Sequence, residues 1–305
     1  MKTKIVVIQG PTASGKTELA IRLAERFRGE VVNADSMQVY RGLDIGTAKP
    51  TAEQRGRVPH HLLDIFDPDV LTSAAMFVEA ADAAIADIAG RGRVPFVTGG
   101  TGLYIRALLG GLVEAPSGAG ELRGELEELA ERLGSEGLHA ELARVDPEAA
   151  ERLHPNDRFR VIRALESHRL TGRPLSEMRR EHAFSEERYT ALKIGLRVER
   201  GELYRRIDQR VLRMMRDGLE EEVRGLLLGG WGPELKSMRS IGYREMCSFL
   251  AGEISREEAV EAIARETRRY AKRQMTWFNK DSAIDWFEYP AEFATISNRV
   301  MNFLG

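Results

Sequence analysis

Residues 5–27 read "IVVIQGPTASGKTELAIRLAERF", and three physical signals follow one another within them. A β-branched run ends in glycine, as a buried strand does. Gly10-Pro11-Thr12-Ala13-Ser14-Gly15-Lys16-Thr17 then satisfies GxxxxGK(S/T), the loop that cradles phosphates. Behind it, Leu19, Ala20, Leu23, Ala24 and Phe27 recur at helical spacing. Strand, glycine-rich turn and helix are the context this motif requires, because loop N–H groups and the helix N-terminus bind phosphate oxygens together. Lys16 adds a point charge, and Thr17 offers a hydroxyl to Mg²⁺. The motif predicts that phosphates bind here. It does not say whose.

Working outward, "EVVNAD" reads as a second strand that delivers Asp35 and Ser36 at its C-terminal end, and "HHLLDIF" as a weaker third. Thr72 or Ser73 can cap a helix whose inner face is Phe77, Ala81, Ala84 and Ile88. "VPFVTGGTGLY" is a fourth strand opening into a glycine turn. Strands alternating with helices at this pace imply a parallel sheet covered on both faces, with ligands at the carboxyl ends of the strands. After Leu112 the chain becomes charged, helical and poor in β-branched runs. Asp146-Pro147 and Asn156-Asp157 read as helix starts, and Gly172 as the stop of the helix carrying Arg160 and Arg163. "ALKIGLRV" then returns to a strand pattern, and helices follow through Trp277. The expected fold is α/β: a P-loop parallel sheet core with an inserted all-helical domain. The core takes residues 1–114 and 190–305, the insertion residues 115–189.

Composition sets the outer limits. Hydrophobic residues make up 43% and charged residues 30%, ordinary for a globular chain. A net charge of −2, from 45 Lys and Arg against 47 Asp and Glu, leaves a nucleic-acid partner to be judged from local clusters. The single cysteine, Cys247, excludes an internal disulfide or a cysteine zinc site and fits a reducing cytoplasm. No apolar run approaches a membrane span, and the first motif starts too early for a signal peptide.

A nucleotide-hydrolysing machine also needs a carboxylate on a later strand to hold Mg²⁺. The "VPFVTGG" strand ends instead in Thr98-Gly99-Gly100-Thr101. The nearest well-placed acid is Asp35, so group transfer involving a small phosphorylated ligand gains over motor and GTPase readings. Asp35 opens the polar, glycine-rich stretch "DSMQVYRGLDIGTAKP" and reads as a catalytic base rather than a turn former. A dinucleotide reading of "GGTGLY" fails because Ile105 stands where a third glycine belongs. His60 and His61 would face opposite ways on a strand and are not a metal pair. Arg206 and Arg210, one helical turn apart, and Arg265, Arg269, Lys272 and Arg273 form two cationic faces, with Tyr270 and Trp277 beside them. With Arg158, Arg160 and Arg163 in the insertion, these suit a polyanionic partner.

These residues together resemble the tRNA dimethylallyltransferase (tRNA isopentenyltransferase) family of bacterial type. The matching blocks are "GPTASGKT", "NADSMQVYRGLDIGTAKP", "VPHHLLDI", "VTGGTGLYIRALL", "RALESHRLTGRP", "YRRIDQRV", "GLEEEV", "SMRSIGYREM" and "YAKRQMTWF", in order along the chain. The resemblance implies a P-loop NTPase or kinase-like core, and transfer of a dimethylallyl group from dimethylallyl diphosphate to the exocyclic amine of a tRNA adenine. That adenine lies just 3′ of the anticodon, in tRNAs reading codons that begin with U. It further implies that Lys16, the loop amides and Mg²⁺ at Thr17 neutralise the diphosphate, with Arg210 assisting. Asp35 would be the general base, and Thr101 would contact the target nucleotide. Asp35, Ser36, Met37, Gln38, Arg123, Phe159, Arg160, Val161, Ile162 and Arg163 would touch the anticodon stem-loop, clasped by the insertion. Phe159 stands where family members often carry glutamine. With one cysteine, the sequence is expected to carry no zinc finger of the kind eukaryotic relatives can add, and the resemblance calls for no membrane and no obligate protein partner. Alternatives are an ATP-using small-molecule kinase, an adenylate isopentenyltransferase acting on free nucleotide, and a P-loop RNA-binding protein without catalysis.

Overall fold

The computed structural model describes residues 2–112 and 120–305. They divide into two compact units, one ending at Leu109 and resuming at Arg188, the other running from Gly110 to Glu187. The insertion boundary expected at 114/115 lies outside the described residues.

The first unit begins with β1 (Lys4–Gln9), α1 (Lys16–Arg26), β2 (Gly29–Asn33), α2 (Ala52–Arg57), β3 (His60–His61), α3 (Ala74–Gly90), β4 (Val94–Gly99) and α4 (Gly102–Gly110). The second holds α5 (Gly120–Val145), α6 (Pro147–Arg152), α7 (Arg158–Thr171) and α8 (Leu175–His182). The first then resumes with β5 (Thr190–Arg197), α9 (Arg200–Arg216), α10 (Leu219–Leu228), α11 (Tyr243–Leu250), α12 (Arg256–Phe278), β6 (Asp285–Glu288) and α13 (Phe293–Leu304). The sheet order is β3-β2-β4-β1-β5-β6, and every neighbouring pair is parallel.

Side chains alternate across a strand, so a strand buried on both faces reads as an unbroken apolar run. In β1, Ile5 and Val7 join Val32 and Val97 beneath α3 and α4. Val6 and Ile8 join Val31, Phe96 and Ile194 beneath α1 and α13. Ser73 caps α3, its hydroxyl accepting from the Met76 N–H at 3.2 Å. Phe77, Ala81 and Ile88 are buried as expected, but Ile85 fills the stripe and Ala84 sits at its margin. Ile85 lies one turn beyond Ala81, which the helical period favours. The weak third strand pairs only at His60 and His61, because Leu62 and Asp64 adopt positive φ (64° and 57°) and end the ladder.

A third apolar cluster joins Val39, Tyr40 and Leu43 to α9, α10, α11 and α12. Glu222 reinforces it: its carboxylate accepts from the N–H groups of Asp44, Ile45 and Gly46 at 3.0, 2.7 and 3.1 Å. The stretch after β2, which reads as an open polar loop, is therefore pinned to the C-terminal helices.

The helical unit has its own core, built from Leu126, Leu138, Leu142, Val161, Ile162 and Leu165. The buried Asp146 caps α6, accepting from the Ala149 N–H at 3.0 Å, and also accepts from the Ser176 N–H at 2.9 Å. Asp157 caps α7, and Gly172 ends it at φ 72°. Among the described residues no helix is long and apolar enough to cross a membrane.

Candidate active site

The phosphate loop leaves β1 at Gly10, whose φ of 147° and closeness to the Leu196 carbonyl exclude a side chain: a Cβ would lie 2.8 Å from that oxygen. Ala13 and Gly15 take left-handed conformations, at φ 63° and 96°. Gly15 caps α1 without a side-chain oxygen, so the first-turn N–H groups keep their affinity for an anion. Ser14 Oγ is buried and makes no hydrogen bond among the described residues. Lys16 Nζ donates to the Pro11 carbonyl at 2.7 Å. Part of the Lys16 stem is accessible, but its ammonium is enclosed. Burial lowers its pKa to about 7, against the pull of Asp35 and with a smaller push from Arg210.

Asp35 stands two residues beyond β2. Its Oδ1 accepts from the Met37 N–H at 2.9 Å and the Gln38 N–H at 3.4 Å, which fixes the turn. Oδ2 makes no hydrogen bond among the described residues and can take a proton. Thr101 follows β4 and ties the two strand ends together. Its hydroxyl accepts from the Ser36 N–H at 3.0 Å, and its N–H donates to the Ala34 carbonyl at 3.3 Å. Gln38 is turned inward, its amide donating to the carbonyls of Thr47 and Ala48 at 3.0 and 3.3 Å.

Arg210 projects from α9, donating to Thr12 Oγ1 at 2.8 Å and to the Thr47 carbonyl at 3.4 Å. Burial lowers its pKa, opposed by Asp35. Gln274 of α12 accepts from the Thr12 N–H at 2.8 Å and donates to the Gly100 carbonyl at 2.9 Å. One turn earlier, the Tyr270 hydroxyl lies against Thr101 and Gln274, and burial together with the Asp35 charge pushes its phenol pKa up. Sequence pattern alone places Tyr270 only beside a cationic face and gives Gln274 no role. The available signal was the spacing of Tyr270, Gln274 and Trp277 along one face of a helix.

The structure thus brings Gly10 to Thr17, Asp35, Thr101 and Arg210 together in the first unit. In the helical unit, the Arg123 guanidinium stacks 5.1 Å from the ring of Phe159, which is 59% exposed. Arg160 pairs with Asp157 at 3.0 Å, and Arg163 with the buried Glu166 at 2.6 Å. Val161 and Ile162, expected to touch tRNA, require correction: they are 0% and 1% exposed, because their side of α7 builds the unit's core. The cationic faces are also less cationic than the sequence suggests. Arg206 pairs with Glu202 at 2.6 Å, Arg269 with Glu266 at 2.7 Å, and Arg158 with Glu127 at 2.8 Å.

The two histidines are structural. His61 Nε2 lies 2.7 Å from Glu30, and His60 Nδ1 2.9 Å from the Val58 carbonyl. Burial raises the Cys247 thiol pKa, which makes it a poor nucleophile. Among the described residues no group of three or more His, Cys, Asp or Glu could hold a metal ion.

Comparison with known proteins gives a consistent set of likenesses. Residues 38–281 match the family described as IPP transferase, and residues 3–60 the family described as isopentenyl transferase. The chain is 65% identical over 302 residues to tRNA dimethylallyltransferase 2 of Geotalea uraniireducens, covering 99% of this chain and 97% of that one. It is 59% identical over 304 residues to the tRNA dimethylallyltransferase of Geobacter sulfurreducens, covering 100% and 98%. Among solved structures it resembles the tRNA isopentenylpyrophosphate transferase of Bacillus halodurans, at 42% identity and TM-score 0.73, covering 99% and 97%. It also resembles a eukaryotic dimethylallyltransferase acting on tRNA, at 29% identity and TM-score 0.84, covering 98% of this chain and 80% of that one.

Proposed function

The chain belongs to the IPP transferase family, and we propose that it transfers the dimethylallyl group of dimethylallyl diphosphate to the N6 amine of a tRNA adenine. The observation that carries this reading is the convergence of Lys16, Arg210 and Asp35 on one loop: two cations for a leaving diphosphate, one carboxylate for a nucleophile's proton. The acceptor is the adenine 3′ of the anticodon, in tRNAs reading codons that begin with U.

As the allylic carbon–oxygen bond breaks, its electron pair passes to the diphosphate. Lys16, the N–H groups at the start of α1 and Arg210 stabilise that charge where it develops. The adenine amine is a weak nucleophile, because its lone pair is delocalised into the ring. It forms the new carbon–nitrogen bond while Asp35 Oδ2 takes the proton it loses. Ser14 Oγ would find in a phosphate oxygen the acceptor it lacks within the chain. The Thr17 hydroxyl, which has no hydrogen-bond partner among the described residues, suits a Mg²⁺ ion held mostly by phosphate oxygens, as that ion prefers. When bound, Mg²⁺ would add positive charge beside the leaving group.

To meet Asp35 the adenine must leave its stack; Ser36 and Met37 share the Asp35 turn, to which Thr101 is hydrogen-bonded, and would be the first residues it meets there. The exposed Phe159 and Arg160 and the half-buried Arg123 and Arg163 of the helical unit suit contact with the anticodon stem-loop, by stacking and by charge.

The test combines the purified protein, Mg²⁺ and dimethylallyl diphosphate with an unmodified tRNA bearing adenine 3′ of its anticodon. Mass spectrometry of the digested RNA should show adenosine carrying one dimethylallyl group. Product from AMP in place of tRNA would move the acceptor to free nucleotide. Phosphate release from ATP without prenylation would refute the reading.

A further inference from the structure

We propose that Gln274 is a positioning residue that locks the donor loop to the acceptor side of the site. The inference rests on the prenyl-transfer reading. A single side chain, 5% exposed, makes both bonds: Oε1 accepts from the Thr12 N–H at 2.8 Å, and Nε2 donates to the Gly100 carbonyl at 2.9 Å. Thr12 belongs to the phosphate loop, and its hydroxyl accepts from Arg210. Gly100 immediately precedes Thr101, which holds the Asp35 turn through Ser36. One amide therefore spans the loop that binds the leaving group and the turn that sets the base and the acceptor.

Two features argue that this is more than packing. A primary amide is matched here to one donor and one acceptor, so an apolar side chain of the same size would leave both backbone groups unpaired. Gly100 is shaped around it, since a Cβ at that position would meet Nε2 at 2.2 Å. A consequence is that the Thr12 N–H is committed to protein. The Ser14 N–H also donates within the loop, to the Pro11 carbonyl at 3.3 Å, which leaves a phosphate the other N–H groups that follow Thr12, together with Lys16.

Carbon transfer depends on the distance and line between the allylic carbon and the adenine amine, and a displacement of about 1 Å can cost roughly 100-fold in rate. Gln274→Met removes both bonds at nearly constant volume, and Gly100→Ala displaces the amide by an independent route. In both variants the single-turnover rate of prenyl transfer to tRNA is expected to fall roughly 10- to 100-fold. The dissociation constants for an unreactive thiolodiphosphate donor analogue and for tRNA should stay within about threefold. Unchanged transfer rates would overturn the proposal, and so would affinity losses that match the rate loss.

Amide exchange provides a readout that does not depend on activity. Exchange at the Thr12 amide should accelerate in Gln274→Met, and unaltered exchange would overturn the bridge. Absence of prenyl transfer by the unsubstituted protein, with exchange still responding to the substitution, would instead refute the parent reading and the catalytic purpose assigned to the bridge.

Discussion

Lys16 makes donor binding depend on pH in a way that can be worked from the structure. Its ammonium is enclosed, and burial brings its pKa from 10.5 to about 7 despite the nearby Asp35 carboxylate. A diphosphate placed against it adds negative charge and draws the pKa back up. A group whose pKa is raised by a ligand favours binding below its free value, and the advantage is lost as pH climbs from that value toward the bound one. Above pH 7 binding must therefore be accompanied by proton uptake, and affinity should drop about tenfold per pH unit. Between pH 7, where the free ammonium is half protonated, and pH 9 that is roughly 50-fold, or about 2.3 kcal/mol. Calorimetric titration with the thiolodiphosphate analogue, in buffers of differing ionisation enthalpy, measures both affinity and protons taken up. Lys16→Arg, whose guanidinium stays charged throughout, supplies the baseline for the ligand's own ionisation. Near pH 8 the unsubstituted protein should take up close to one more proton than Lys16→Arg. Parallel affinity profiles in the two proteins would refute the reasoning.

Further outcomes are expected at other positions. Asp35→Asn keeps the size and much of the turn but cannot accept the proton, so prenyl transfer should fall roughly 100- to 10,000-fold in single-turnover kinetics, with tRNA affinity retained. Arg210→Ala removes a charged donor from Thr12 Oγ1, and donor-analogue affinity should weaken roughly 10- to 100-fold while filter-binding affinity for tRNA is preserved. Arg160→Ala combined with Arg163→Ala should weaken tRNA binding and lower the slope of log affinity against log salt by roughly 1 to 2. Glu30 provides a stability test. Hydrogen bonding from Arg91, against the effect of burial and with help from His61, draws its pKa from 4.5 to about 2. Its contribution, roughly 3 kcal/mol by that shift, is present above pH 4.5 and lost as pH falls toward 2. Urea midpoints of the parent and Glu30→Gln should differ at pH 6 and converge in acid.

What could be read from the sequence divides along the range of the interactions. The loop from Gly10 to Thr17 is local: its glycines, its lysine and the strand and helix around it are specified within about 25 residues, and the structure reproduces that context. The caps at Asp146 and Asp157 and the stop at Gly172 are equally local. The interactions that complete the site are not. Arg210 meets Thr12 across 198 positions, and Gln274 meets it across 262. No periodicity encodes such a meeting. Ion pairing is lost from view for the same reason: Arg158 looks like a surface cation until Glu127, from a different helix, is placed beside it. Val161 and Ile162 sit between Arg160 and Arg163 in sequence, yet the helical period turns them to the opposite side of α7 and buries them.

The same topology explains how a phosphate loop is turned toward carbon transfer. In a hydrolase of this kind a carboxylate at the end of a later strand holds the metal. Here β4 ends in Thr98 and Gly99, and a Cβ at Gly99 would stand 2.1 Å from the Ala34 carbonyl. The tips of β2 and β4 are therefore in backbone contact, and the acid that approaches the loop comes from the β2 side as Asp35. β5 then pairs with β1 on the edge away from β4. That arrangement lets the following helices, α9 and α12, bring Arg210 and Gln274 across the open front of the loop. The loop retains its anion cradle, but its front is closed by a guanidinium and an amide and faced by a base. That geometry suits a leaving diphosphate on one side and a nucleophile surrendering a proton on the other.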